Sequence, residues 1–190
     1  MKRWLHRHGF GVQSPFAYEW VRDVFFESLS YYALDELKAK HHSDKSSKKD
    51  ICRDEQLFRI SNRLKPTSIL LMGDIPEHSV DYLLSPCRDA ECMTLKGAEL
   101  QKLKQNCQSC GCFSLIMCQS SASFKEVYHK MKSLGIIGET TVMIVEDICR
   151  TQKQLWETIV ADKKAITTFD MKYRGVVFFD TSRVMQNYTL

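Results

Sequence analysis

Apolar positions recur at helical spacing through the first third of the chain and fall into short runs after it. Phe16, Trp20, Val21, Val24 and Phe25 share one helical face. Ahead of them Ser14 and Pro15 supply a capping hydroxyl and a proline suited to the first helical position. A second helix is predicted from Tyr31 to about His41, and the polar, aperiodic stretch 43–50 is predicted to be a loop. A third helix should cover about Arg53 to Leu64, with Leu57, Phe58, Ile60 and Leu64 inward, and stop before Pro66. From Thr67 the pattern alternates. Apolar runs at 68–72, 91–95, 113–118 and 141–145 read as strands, and segments at about 79–84, 98–106, 123–134 and 152–161 read as helices. Ser123 with Glu126, and Thr151 with Gln154, have the spacing of capping boxes. The last part reads as a hairpin, AITTFD and GVVFFD joined by a short turn containing Gly175.

Strands alternating with helices and closing in a hairpin imply an α/β fold, a three-layer α/β/α sandwich of Rossmann-like type. Its sheet should be parallel except for one antiparallel strand from the C-terminal hairpin. The helices of residues 1–65 form an N-terminal extension, and residues 66–190 form the Rossmann-like domain, the whole making one compact unit.

Composition narrows the function classes. No run of about 18 apolar residues exists, so a membrane span is not expected. The opening MKRWLHRHGFG is basic without an apolar core, so a signal peptide is not expected either, and a cytoplasmic location is. Net charge is +4, from 27 basic and 23 acidic residues, which is too mild and dispersed to argue for nucleic acid. The basic clusters Lys2–His8 and Lys38–Lys49 read as solvated surface.

The eight cysteines should be reduced thiols, with Cys118 and Cys149 as small core residues. Cys107 and Cys110 have knuckle spacing, and with Cys87 and Cys92 they leave a zinc site or a redox pair open beside a structural role. His41 and His42 show no partner acid at sensible spacing, and no nucleophile elbow, Walker loop or H-E-x-x-H occurs.

The stretch Thr67–Leu84 organises the rest. A buried strand, Ser68 to Met72, leads through Gly73 into a helix, and in an open α/β sheet such a turn lies under the ligand. Only one glycine stands where two or three are usual, and Pro76 and Glu77 occupy the loop.

The chain resembles the class I S-adenosylmethionine-dependent methyltransferases over nearly its whole length. It is similar in particular to a bacterial branch opening with HGFG-x-x-SPF, here His8-Gly9-Phe10-Gly11 and Ser14-Pro15-Phe16. Further matches are Tyr31-Tyr32-Ala33, Val145-Glu146-Asp147-Ile148, Trp156 and Gly175-Val176-Val177-Phe178-Phe179. The resemblance implies S-adenosylmethionine as cofactor and a small-molecule acceptor. It places cofactor contacts at Gly73, Asp74, Ser79, Lys96 and Gln119, and leaves His8, if the N-terminal helices cover the cleft, and Asp147 as the candidate catalytic residues.

Departures gather at that site. Leu71 and Glu77 replace the family's acid and second glycine, and residues 97–111 leave no room for a strand and its adenine-contacting turn. Lys96 stands where the family has the acid that bonds the ribose hydroxyls. An ammonium only donates, and losing such a charged acceptor costs about 1.5–3 kcal/mol.

Gln119 replaces an Asp that, in catechol-type relatives, holds a divalent metal with an acidic pair, here Glu146 and Asp147. Those two carboxylates remain metal candidates through waters, against a helix N-cap role for Asp147, and a bound metal is not expected. The expectation is a family member with an eroded cofactor site, weak or inactive as an enzyme. The alternatives are a non-catalytic scaffold with a protein partner or a second copy of itself, a methyltransferase with a rebuilt pocket, and a zinc-stapled or RNA-contacting module.

Overall fold

The computed structural model describes residues 11–41, 48–95, 112–119 and 125–190. They belong to two compact units, residues 1–66 with 76–90, and residues 67–75 with 91–190. The chain therefore crosses between units three times, where a single boundary at 65/66 was expected.

The first unit is helical. Helix α1 (Pro15–Trp20) starts as the sequence predicts, with Ser14 Oγ accepting the Ala17 N–H at 3.4 Å. It continues as a π-helical turn over Val21–Phe25, closed by the Phe26 N–H on the Val21 carbonyl at 3.1 Å. The wider turn keeps Trp20, Val21, Val24 and Phe25 buried together. It leaves carbonyls at its end that no helical N–H reaches, and side chains supply the donors. Arg59 Nε bonds Val24 O and Gln56 Nε2 bonds Phe25 O, each at 3.1 Å.

Helix α2 (Tyr32–His41), α3 (Lys48–Leu64) and α4 (Glu77–Leu84) complete this unit. α3 begins inside the expected loop 43–50, since Lys48, Lys49 and Asp50 are helical. Leu57, Phe58 and Ile60 are buried as expected, and Leu64 is half-buried. Leu34, Phe58 and Tyr82 bring α2, α3 and α4 together, with the Tyr31 ring edge-on to Phe58 at 5.3 Å.

The second unit carries a seven-stranded sheet in the order β2-β1-β3-β4-β6-β5-β7. Its strands are β1 (Ser68–Gly73), β2 (Glu91–Leu95), β3 (Leu115–Gln119), β4 (Val142–Glu146), β5 (Thr167–Asp170), β6 (Arg174–Phe178) and β7 (Gln186–Thr189). Only β6 is reversed, antiparallel to both β4 and β5. β7, which runs parallel to β5, was not expected: QNYT is short and polar, with alternate residues exposed. Ser114 ties the amino ends of β1 and β3, its N–H on Ser68 Oγ at 3.0 Å and its hydroxyl on Ser68 O at 3.1 Å.

Helices α5 (Lys125–Ser133) and α6 (Lys153–Val160) cover one face. Tyr128, Met131, Leu155, Trp156 and Ile159 pack there on Leu70, Met72, Ile116, Met143, Val145 and Val177. Ile69, Leu71, Leu115, Met117, Ile144 and Val176 point the other way and are equally buried. The sheet is thus mixed, mostly parallel and flanked by helices, the α/β fold of Rossmann-like type that was expected.

Three local expectations are corrected. Gly175 lies inside β6 and not in the hairpin turn, because the Trp156 ring crosses it: a Cβ there would stand 2.3 Å from Trp156 Cζ3. The turn is made by Lys172 at φ 75°, with Asp170 Oδ1 accepting its N–H at 2.7 Å. The Thr151 capping box is absent, since α6 is capped at Gln152 without a side-chain bond to the helix. The other box, the predicted helix 98–106 and the shortened segment 97–111 fall on Ser123 and residues 96–111, outside the described residues.

Candidate functional site

The chain leaves β1 toward β2 on one side, and β3 then takes the other side. Such a switch opens a crevice at the carboxyl ends of the two strands, where doubly wound sheets hold ligands. Gly73 ends β1 directly beside Gln119, which ends β3. Cys118 is paired with Val145, so Glu146 at the end of β4 follows next in line. Gly73 adopts φ 92°, in the left-handed region that a side chain disfavours, and Asp74 after it is exposed. The structure thus brings Gly73, Gln119, Glu146 and Asp147 to one edge of the sheet.

The electrostatics of that edge are set from within. Glu146 and Arg174 are partners across β4 and β6, and Arg174 Nε donates to Glu146 Oε1 at 2.5 Å. Both are buried, at 7% and 3% exposure. A buried carboxylate deprived of its guanidinium would cost about 3–5 kcal/mol, so this acid is not at the disposal of a ligand. Glu146 is the one buried carboxylate among the described residues of the sheet unit. Gln119, the residue after Cys118 at the end of β3, is a half-buried, neutral amide.

Asp147 follows in a left-handed conformation, φ 54°, which is strained for a non-glycine residue. Its carbonyl accepts the N–H groups of Arg150 at 2.9 Å and Gln152 at 3.2 Å, while Ile148 N–H bonds Tyr173 O at 3.1 Å. The helix N-cap expected of Asp147 belongs to Gln152 instead. This turn also carries Cys149 into solvent, so that cysteine is not the core residue expected. Among the described residues no three His, Cys, Asp or Glu side chains converge as metal ligands.

Ser79 lies in the helical unit, where its hydroxyl donates to Asp54 Oδ1 at 2.7 Å. The other oxygen of this buried carboxylate bonds His78 Nδ1 at 2.7 Å. His41 also has an acid partner that its sequence surroundings do not reveal: Asp81 Oδ2, 40 residues away, at 3.0 Å from Nε2. Asp54 is the one fully buried charge among the described residues of its helix, and no local pattern reveals it, because its two partners sit on a different helix.

His8, Lys96, Cys107 and Cys110 lie outside the described residues. Cys87 is half-buried and donates to Leu83 O at 3.4 Å, and Cys92 is exposed on β2. Cys118 is buried as expected, and burial pushes its thiol up to about 12. No helix among the described residues is long and apolar enough to cross a membrane.

No protein-family model matches this chain, and no curated protein matches it. Solved structures do. A Klebsiella pneumoniae protein assigned as an O-methyltransferase superposes with a TM-score of 0.56 at 12% identity, covering 81% of this chain and 92% of its own. The Podospora anserina methyltransferase PaMTH1, crystallised with SAH, gives 0.58 at 14% identity, covering 79% of this chain and 88% of its own. At such identities the likeness is one of fold, a Rossmann-like fold that these methyltransferases share with this chain.

Proposed function

We propose that this protein keeps the methyltransferase fold with an eroded S-adenosylmethionine site. It binds the cofactor weakly or not at all, and acts through its surface as an interaction or scaffold protein. One observation carries this reading: the buried carboxylate at the candidate strand ends, Glu146, is held by Arg174, beside the neutral Gln119. An adenosyl ligand needs acceptors for its ribose hydroxyls, and an acid committed to a guanidinium is a poor one. Leu71, buried at 2% exposure in β1, adds no acceptor, and neither does the side chain of Lys96, the residue after Leu95 in the sequence. Among the described residues, those at the strand ends therefore do not fit the cofactor. That PaMTH1 was crystallised with SAH supports S-adenosylmethionine as the class of ligand from which this site has drifted.

Thermal unfolding with millimolar S-adenosylmethionine or S-adenosylhomocysteine tests the reading. A ligand at a hundred times its Kd adds about 2.7 kcal/mol, and each kcal/mol raises the melting temperature of a chain this size by about 2–4 °C. An unchanged midpoint is expected. A rise of several degrees with either compound would contradict it.

A further inference from the structure

A second concavity lies at the opposite edge of the sheet. Ile137 and Glu139 precede β4, Lys164 precedes β5, and Phe179 and Thr181 follow the reversed β6, so these residues gather where β4 and β5 begin. Gln119 and Glu146 stand where β3 and β4 end. The cavity measures about 180 Å³, somewhat more than the apolar cavity of about 150 Å³ that takes up benzene.

Its wall is fixed before any ligand arrives. Thr141 Oγ1 accepts the Gly138 N–H at 2.9 Å and donates to Phe113 O at 2.7 Å, and Thr141 N–H bonds Gly138 O at 3.1 Å. Cys112 Sγ sits so close under Gly138 that a Cβ would meet it at 2.6 Å. Such preorganisation lowers the ordering cost of binding.

The lining divides into an apolar and a charged part. Ile137 and Phe179, the latter 4% exposed, are apolar. Of the charges, Lys132 is already spoken for: its ammonium bonds Asp162, which also accepts the Tyr128 hydroxyl at 2.7 Å and the Lys164 N–H at 3.0 Å. Lys164 and Glu139 are exposed. Among the described residues the Lys164 ammonium enters no ion pair, and Glu139 accepts only the Thr181 hydroxyl on Oε1. One cation and one carboxylate thus remain available on the same small, partly apolar cavity.

We propose that this cavity binds a small zwitterion with an apolar body, of the class of branched-chain α-amino acids. The ligand carboxylate meets Lys164 Nζ, its ammonium meets Glu139 Oε2, and its side chain lies on Ile137 and Phe179. The charges select this class. A simple anion would face the Glu139 carboxylate, a simple cation would face Lys164, and a neutral apolar molecule would strip water from both without replacing it. Charge-assisted bonds at both ends, by contrast, are the stronger kind.

Calorimetric titration of the full chain with L-leucine tests this. Saturable one-to-one binding is expected. Isocaproate, which is leucine without its ammonium, and isoamylamine, which is leucine without its carboxylate, should each bind about tenfold or more weaker, as loss of a charged hydrogen bond implies. Lys164→Gln and Glu139→Gln change exposed side chains and should each weaken leucine by a similar factor with the melting temperature unchanged. No saturable binding of leucine, isoleucine, valine or phenylalanine at millimolar concentration would overturn the proposal. So would equal affinity for the single-charge analogues, or undiminished binding by both variants. The cavity shares no residue with the strand ends at Gly73, Gln119 and Glu146, so failure here leaves the reading of the cofactor site standing.

Discussion

At the scale of single residues, Gly175 shows how a sequence motif can be right in position and wrong in reason. A glycine before Val-Val-Phe-Phe reads as a turn, because glycine most often marks positive φ. The turn is made three residues earlier, where Lys172 takes the positive φ with help from Asp170. What requires glycine at 175 is the Trp156 ring, whose Cζ3 would lie 2.3 Å from a Cβ. Trp156 and Gly175 are 19 positions apart, so no local pattern links them. Gly175→Ala should destabilise the protein by about 1–3 kcal/mol, the range for overpacking a close-packed core. In a Trp156→Leu background the same change should cost much less, and urea unfolding of the four-member cycle measures that coupling. Additive costs would show that the ring does not set the residue.

At the scale of elements, caps and hubs decide more than propensity does. Ser14 could be read as a cap because its partner, the Ala17 N–H, is local. Helix α6 keeps its expected place although its capping box is absent, because Leu155, Trp156 and Ile159 bury one face. Tertiary burial outweighs a missing cap. The Asp162 hub ties α5 to the turn before β5 through Lys132, Tyr128 and the Lys164 N–H. Burial alone would raise the Asp162 carboxyl, but the bonds from Lys132, the Lys164 N–H and Tyr128 outweigh it and hold it below the usual carboxylate range.

The sign for stability follows. A carboxyl whose folded pKa is depressed adds stability that is fully present above its unfolded value, about 3.9. That stability is lost as pH falls through the lower folded value. Lys132→Met should therefore destabilise the protein at neutral pH and lose less on acidification than the parent does. Urea midpoints taken from pH 7 down to about pH 3, below the unfolded carboxyl value, check this. Parallel acid profiles for the two proteins would contradict it.

At the scale of the whole molecule, the alternation of short apolar runs with helical spacing was enough to read the α/β fold and its one reversed strand. Buried parallel strands are continuous apolar runs, and a hairpin has its own spacing. Less legible were β7, which is polar and short, and the grouping of α4 with the N-terminal helices. That grouping rests on pairs such as Asp54 with Ser79 and His41 with Asp81, which lie 25 and 40 positions apart. The candidate site was legible as a set of positions, since Gly73, Gln119 and Glu146 do align at strand ends. The occupation of Glu146 was not, because Arg174 reaches it only through the reversed pairing of β6.

The central claim is that this alignment no longer grips the cofactor. Calorimetric titration with S-adenosylmethionine and with S-adenosylhomocysteine tests it most directly. The account predicts no saturable heat with either compound at millimolar concentration. One-to-one binding at micromolar Kd would contradict it, and would mean that a rebuilt pocket satisfies the ribose without the family's acid.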